Sequence, residues 1–412
     1  MIVDRVTRGL EQRETTFAKP DAWLTEALGG GPTYSGKSMS PKTSLRLIPV
    51  FASVRIIAES VGSLPLHVFR RVENGRERAE SSKVWQQRVL GEAPNEEMAA
   101  GQFYETLTGH LNLWGNAFVE KQKMRVFGGG EQVDAMWPIA PSRVQVERNQ
   151  RGDKRFRIDG HERTFGEDTI LHIPAFGYDG LVGLSPIQQC REDLGTIGAR
   201  GEYQGRFFAN NATPGGYIKH PKSLGSQEAV ERLKAGWRAK HRGLKNAHEA
   251  AVLEEGAEWV ATGIPLRDQQ FIELAQFDTT QVANLFRIPP SMIGAPTGDS
   301  MTYGNRESDA INFVTYSLLR WLKRITEALW RDRDLFHSRR YYPEFVVQAL
   351  MRGDAGSRGE FYQTMHDLGA ITVAEIRERE DMPPLPHPSN GAVPPKEGEQ
   401  VIGQLTGSSN GN

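Results

Sequence analysis

ASVRIIAESVGSLPLHVFRR, residues 52–71, changes period in the middle. Val54, Ile57 and Val61, with Val50 just before them, lie at helical spacing, and Phe51 sits beside that stripe. Gly62 ends the helix, residues 64–72 alternate as a strand, and Glu73-Asn74-Gly75 is a strong turn signal. A helix that hands over directly to a turn-bounded strand predicts an α+β fold rather than a helical bundle.

Working outward, a second amphipathic helix is expected over 99–113, with Phe103, Leu107 and Leu111 on one face. Residues 116–127 and 133–137 flank Gly128-Gly129-Gly130 as a hairpin. Residues 143–147 and 154–158 flank 149–153 as another, and 169–173 adds a further strand. Antiparallel hairpins therefore dominate this part.

The second half reads as mostly helical. Ser185-Pro186 supplies an N-cap and a first-position proline for a helix reaching about 210. Gly195, Gly198, Gly201 and Gly205 fall near one face of it. They read either as breaks in the helix or as a bare stripe where another helix, from a neighbouring subunit, packs closely. A helix is expected at 226–241, capped by Ser226 and stopped by Gly243, with short strands at 248–253 and 258–262. Pro265 opens a long helix with Phe271, Leu274, Phe277, Val282 and Leu285 on its apolar side, which Pro289-Pro290 must end. After a loop at 291–304, a last long helix is predicted over 305–336, carrying Ile311, Val314, Leu318, Trp321, Ile325 and Leu329. A smaller helical region is expected at 356–380. Residues 1–40 and the Pro/Gly/Ser-rich tail beyond 383 read as flexible.

The totals narrow the function. The 412 residues carry 50 Lys plus Arg against 51 Asp plus Glu, a net charge of −1, which excludes a globally basic nucleic-acid clamp. Mean hydropathy is −0.50, polar for this size. One cysteine, Cys190, excludes an internal disulfide framework and reads as a packing thiol. No apolar run reaches the ~18–20 residues of a membrane span, and the first residues lack signal-peptide order. A soluble intracellular chain is expected.

Most chemical motifs fail on context. Residues 31–38, GPTYSGKS, fit the P-loop pattern, with Gly31 and Gly36 as the glycines, Lys37 for the phosphates and Ser38 for Mg²⁺. That chemistry needs an apolar strand before and a helix after, whereas polar WLTEALGG precedes and Pro41 follows closely. A P-loop nucleotide hydrolase is the rival reading. The ten histidines show no paired metal spacing, so neither metal nor cofactor is expected. Gly177, Gly180 and Gly183 read as a structural loop. Arg232, Lys234, Arg238, Lys240, His241, Arg242 and Lys245 fall within fourteen residues, opposed mainly by Glu231. They read as a solvated helix face or as a docking surface for an acidic partner or a DNA backbone.

Eight ordered stretches carry a resemblance. They are ASVRIIAESVGSLPLHVFRR (52–71), APNEEMAAGQFYETLTGHLNLWGNAFVE (93–120), MWPIAPSRV (136–144), ILHIPAFGYDGLVGLSPI (170–187), FFANNATPGGYIKHP (207–221), VLEEGAEW (252–259), FRIPPSMIG (286–294) and FVTYSLLRWLKRITEAL (313–329). In this order the chain resembles the portal proteins of tailed double-stranded-DNA bacteriophages. The resemblance implies no enzyme. It implies a ring of twelve subunits at one capsid vertex of the virion, assembled in the host cytoplasm. Double-stranded DNA would pass through the ring in packaging and ejection. Terminase, through its large subunit, and later head–tail connector proteins would dock on it, and the major capsid protein would surround it.

The resemblance also implies a portal fold: an α+β wing, two long stem helices, a small α/β clip and a short helical crown. A flexible arm (1–40) is followed by the wing (41–186), a stem helix (187–211), the clip (212–264), a second stem helix (265–290) and the tunnel loop (291–304). Then come a long wing helix with its following strand (305–350), the crown (351–385) and a flexible tail (386–412). By position, Thr297, Asp299, Ser300, Met301, Thr302 and Tyr303 would face the DNA. Gly195, Gly198, Gly201 and Gly205 would pack stems between subunits. Arg232, Lys234, Arg238, Lys240 and Arg242 would dock terminase or connector. Gly294, Gly298 and Gly304 imply a tunnel loop too mobile to act as a lever.

Overall fold

The computed structural model describes residues 33–379, except 74, 127–129, 210–215, 222–225, 242–256, 262–267, 296–302 and 348–354. The chain divides into two units, Met1–Val347 and Gln348–Asn412.

In the first unit α1 (Pro41–Ser44) is fixed by a reciprocal cap. The Ser40 hydroxyl accepts the Thr43 N–H (3.2 Å) while the Thr43 hydroxyl accepts the Ser40 N–H (2.8 Å). Next come α2 (Ile48–Gly62), β1 (Leu66–Val72) and β2 (Gly75–Arg78). A helical turn at Trp85–Gln87 runs into a π-helical stretch, Arg88–Glu92, before α3 (Ala100–Trp114). The predicted stripes meet, since Val50, Val54, Ile57 and Val61 of α2 and Phe103, Leu107 and Leu111 of α3 are all buried. Phe51, beside the stripe, faces outward. The helices touch backbone to backbone: a Cβ on Gly101 would stand 2.6 Å from the Gly62 carbonyl oxygen. Gly62 thus both ends its helix and admits its neighbour.

The hairpins follow as β3 (Asn116–Arg125) with β4 (Glu131–Ile139), and β5 (Val144–Arg148) with β6 (Lys154–Ile158) and β7 (Thr164–Phe165). Strand β8 (Ile170–Pro174) pairs antiparallel with β3, giving the order β4-β3-β8, and the other small sheet runs β5-β6-β7. Phe118, Ile139, Phe156, Ile158, Phe165 and Ile170 close one core between them.

Then come α4 (Pro186–Gln189), α5 (Arg191–Ala209), β9 (Gly216–Lys219), α6 (Gln227–His241), β10 (Glu258–Ala261) and α7 (Asp268–Phe286). A 3-10 turn (Pro290–Ile293) precedes α8 (Tyr303–Asn312). A π-turn (Phe313–Leu318) carries that helix on into α9 (Leu319–Arg331). Strand β11 (Tyr341–Phe345) returns to β1, with Leu66 opposite Phe345, in the order β11-β1-β2. The second unit holds α10 (Ala355–Asp367) and α11 (Val373–Arg379). In α11 the Thr372 hydroxyl accepts the Glu375 N–H (3.3 Å) and the Glu375 carboxylate accepts the Thr372 N–H (2.7 Å).

Several expectations change in detail. The helix expected to end at 336 ends at Arg331, where Asp332 turns extended. The π-turn adds one residue to a turn and advances the buried stripe. Phe313, Ser317, Leu318, Leu322, Ile325 and Leu329 therefore face inward, and Ile311 stays exposed. Strand β10 lies within the strand expected at 258–262, and its antiparallel partner β9 was not foreseen. The strand expected at 248–253 lies outside the described residues.

A cluster of ordinary-looking charges proves structural. The Lys121 ammonium, fully buried, donates to Asp332 (2.6 Å), Asp334 (2.6 Å) and the Glu167 carbonyl (2.8 Å), tying β3 to the end of α9. Burial raises the Asp332 carboxyl above the ordinary range. Burial pushes on Asp334 too, but hydrogen bonds from Lys121 and Lys123 outweigh it and hold Asp334 low.

Two histidines are kept neutral. Burial, with Lys154 nearby, lowers His172 to about 3, and burial alone lowers His110 to about 4. His172 stacks on Phe118 at 4.6 Å between ring centres, and its Nε2 lies 2.9 Å from the Asn116 amide oxygen. Both folded values lie below the ordinary 6.5. The unfolded chain therefore takes the proton first. Their stabilisation is complete above pH ~6.5 and drains as pH falls toward the folded values, by up to ~1.4 kcal/mol per pH unit for each histidine. Urea midpoints measured from pH 7 to 4.5 should fall steeply. With His110→Asn and His172→Gln combined, the slope should flatten; an unchanged slope would remove these histidines as its cause.

Candidate functional site

The geometry most able to serve a function centres on α5, α7 and the turn after α7. Helix α5 follows α4 after a break at Cys190, whose backbone is off the helical region (φ −109°, ψ 25°). The Ser185 hydroxyl caps α4 by accepting the Gln188 N–H (3.2 Å), and it donates to the Leu113 carbonyl (2.6 Å). Burial raises the Cys190 thiol, so it is a poor nucleophile. The glycines do not break α5, which is continuous through all four.

The stripe divides in use. A Cβ on Gly195 would meet the Thr33 side chain at 2.4 Å, and one on Gly198 would come near Met39 and Leu47. Those two glycines seat residues 33–47 of the same chain. Gly201 and Gly205 have open space beside them. The end of the expected arm is thereby packed, with Thr33 and Met39 buried.

This packing also decides the P-loop-like motif. The Gly36 N–H donates to the Thr33 carbonyl (2.8 Å) in a tight turn with Gly36 at φ +77°. The Lys37 ammonium pairs with Glu202 of α5. Ser38 leads to the four-residue α1, so no long helix offers its N-terminus to a phosphate here. The backbone N–H and the ammonium that a nucleotide would require serve the fold.

Helix α7 is tied to α5 by Arg200 and Asp278, 2.7 Å apart. Burial raises the Asp278 carboxyl, with Arg200 opposing that shift. Of the predicted apolar side, Val282 is buried against the fold while Leu274 and Phe277 stay exposed; the Phe271 side chain lies outside what is described. After α7, Arg287 takes a left-handed conformation (φ +59°), and its carbonyl accepts the Ser317 hydroxyl from the π-turn. Arg287, Ile288 and Pro289 form one wall, and Asn312 and Tyr316 the other, of an open cleft of about 430 Å³. Ser291 and Asp309 (2.5 Å) bridge the 3-10 turn to α8.

Thr297, Asp299, Ser300, Met301 and Thr302 lie outside the described residues. Tyr303 begins α8, two residues earlier than expected. In the expected clip, Arg232 and Lys234 are exposed on α6, and Lys234 pairs with Glu231 (2.9 Å). Arg238 and Lys240 belong to α6, and Arg242 lies outside the described residues. Sequence reasoning missed the Arg200–Asp278 tie and the Arg287 turn. A charge pair between distant helices leaves no local pattern, and the only hint of the turn was Pro289-Pro290.

Among the described residues no group of His, Cys, Asp or Glu could hold a metal ion, and no helix is long and apolar enough to cross a membrane. Against known proteins, residues 49–381 match the model of a family described as phage portal protein. A probable portal protein of Streptomyces phage phiC31 is 30% identical over 375 residues, covering 87% of this chain and 79% of that protein. The crystal structure of an HK97-family phage portal protein from Corynebacterium diphtheriae superposes with a TM-score of 0.58 at 14% identity, over 79% of this chain and 99% of that one. A chain in the neck of a native gene transfer agent particle, solved with C12 symmetry, gives 0.53 at 23% identity, over 88% and 99%. With a family match across most of its length and a relative 30% identical over 87% of it, this chain belongs to the phage portal protein family.

Proposed function

We propose that twelve copies of this chain form a ring at one capsid vertex, with α5 and α7 as its stem and Thr297, Asp299, Ser300, Met301, Thr302 and Tyr303 facing the DNA that passes through. The observation that carries this reading is the apolar surface one copy leaves open. Ile272 and Phe277 of α7 are 60% and 55% exposed, and Ile311, Tyr316 and Leu319 are exposed along α8, the π-turn and α9. Large apolar residues left exposed in this number call for a covering partner, and closed cyclic symmetry supplies identical neighbours. The C12 symmetry of the gene transfer agent neck supports the number. Gly201 and Gly205, open on α5, leave room for an adjoining helix to approach closely.

Terminase large subunit and head–tail connector proteins are read as docking on the region of α6, β9 and β10, with the major capsid protein around the wing. The chain acts there as a passive conduit. Its net charge of −1 suits passage without strong phosphate gripping. The ring is tested by native mass measurement with end-on electron microscopy. Twelve copies of a 46.0 kDa chain come to about 550 kDa with an open centre. Replacing Ile272 and Phe277 together by Ser should shift the species to smaller assemblies without unfolding the subunit. A protein that is monomeric at every concentration, with and without these substitutions, would sink the reading.

A further inference from the structure

The outer face of the sheet β11-β1-β2 is the other surface with an organised chemistry. Alternation along β1 puts Leu66 and Val68 into the core and turns His67, Phe69 and Arg71 to the opposite face. The register aligns Tyr342 and Arg78 with Phe69, and Arg76 with Arg71. The Arg71 N–H donates to the Arg340 carbonyl (2.9 Å), so Arg340, Arg71 and Arg76 lie side by side across three chain segments. Arg78 follows Arg76 by one full strand repeat. All four arginines are exposed, as is Arg339.

These arginines are held in place by rings. The Arg76 guanidinium sits 4.5 Å over Phe69, Arg71 lies 5.3 Å over Tyr342, and Arg339 lies 4.2 Å over Trp330. Phe69 and Tyr342 stack on one another at 5.9 Å. Such contacts fix a guanidinium without neutralising it. One carboxylate on this face, Glu344, pairs with Arg76 (2.6 Å), and Glu77 is taken by Arg70 (2.5 Å). Arg71, Arg78, Arg339 and Arg340 have no carboxylate partner among the described residues.

We infer that this face binds the phosphate backbone of duplex DNA, on elements other than those read as lining the channel. Adjacent positions across a sheet are ~4.8 Å apart and alternate positions along a strand ~6.7 Å. Guanidinium groups at such spacings suit successive phosphates, which each can hold bidentately. The rings are already covered by guanidinium groups, so they offer no free face for an unpaired base to stack on. They equally offer an acidic peptide no apolar anchor of the kind that dominates protein interfaces. What remains is a charge-reading surface, which favours a duplex backbone without regard to its sequence.

The test is fluorescence anisotropy of a labelled short duplex with the full-length protein across a salt series. Two variants are compared: Arg71→Gln/Arg78→Gln/Arg339→Gln/Arg340→Gln, and the milder Arg78→Gln/Arg340→Gln, which leaves every ring contact intact. The slope of log K against log salt should shrink by about 3–4 in the first and about 2 in the second, with affinity at ~0.1 M salt down by roughly tenfold or more. DNA held in a central channel contributes equally to all three proteins, so the difference reports this face, and ring assembly is read separately by microscopy. Unchanged slopes overturn the proposal. So does loss of poly-glutamate binding in variants whose duplex slope is intact, which would make the face an acidic-protein dock.

Discussion

Lys121→Met should cost the first unit about 3–5 kcal/mol, one of the two largest losses expected from a single substitution here. Among the described residues the ammonium is the only cation that Asp332 touches, and the Asp332 side chain is nearly as buried as that of Lys121. Without it, two carboxylates remain at the junction of β3 with the end of α9, and only Asp334 keeps a cation, Lys123 at 2.9 Å. An uncompensated buried charge costs more than the pair gained, because desolvation persists after the attraction is gone. The Asp332 carboxylate also accepts the N–H groups of Asp334 (2.9 Å) and Leu335 (3.2 Å), so the damage reaches the turn toward β11. Urea unfolding followed by tryptophan fluorescence reads the loss. Adding Asp332→Asn to Lys121→Met should recover part of it, and the deficit should narrow as the pH drops and the carboxylates protonate. A loss under ~1 kcal/mol would show that the junction is held by packing alone.

Gly115→Ala should be of similar size, about 3 kcal/mol, from two separate terms. The residue sits in the left-handed region (φ +72°), which costs a non-glycine residue about 1–2 kcal/mol. Its new Cβ would also stand 2.2 Å from the Leu184 carbonyl oxygen, a backbone atom that cannot swing aside. Overpacking of this kind adds about 1–3 kcal/mol. The loop that would have to move is laced to this point. The Gly115 carbonyl accepts the Ala175 N–H (2.8 Å), and the Asn116 amide oxygen accepts the Gly183 N–H (2.8 Å). Gly152→Ala separates the terms, since Gly152 has a similar φ (+85°) with nothing within 4 Å of its would-be Cβ. It should lose only about 1 kcal/mol. Equal losses in the two variants would refute the crowding argument.

The parts legible from sequence were those written in local period. The α2 and α3 stripes turned out buried, and Ser40, Ser185, Ser226 and Thr372 each cap a helix. Of these, Ser185 and Ser226 had announced themselves. Pairings across long stretches of chain were not legible. Strand β11 joins β1 from beyond residue 340, and nothing in either strand names its partner. The π-turn was hidden because Ile311, Val314 and Leu318 satisfy a regular helix on paper, and only packing reveals the added residue. The expected apolar side of α7 was read from its residues alone, but among the described side chains the fold buries Val282 and leaves Leu274 and Phe277 exposed. Lys121 looked like any strand lysine, because its two acids come more than two hundred positions later.

The π-turn at Phe313–Leu318 has a consequence at the level of the gene. It accommodates one surplus amino acid as a phase offset inside a continuous rod, where an insertion would ordinarily demand a loop. Losing a single codon there would restore ordinary winding without severing the rod. Helix α9 would keep its seat against β8 and β11. Everything upstream, beginning with α8, would turn by about 100° about the rod's axis, the angle one residue subtends. Small in-frame length changes at this spot therefore act as a rotary adjustment between the anchored half of the rod and the segment that precedes it.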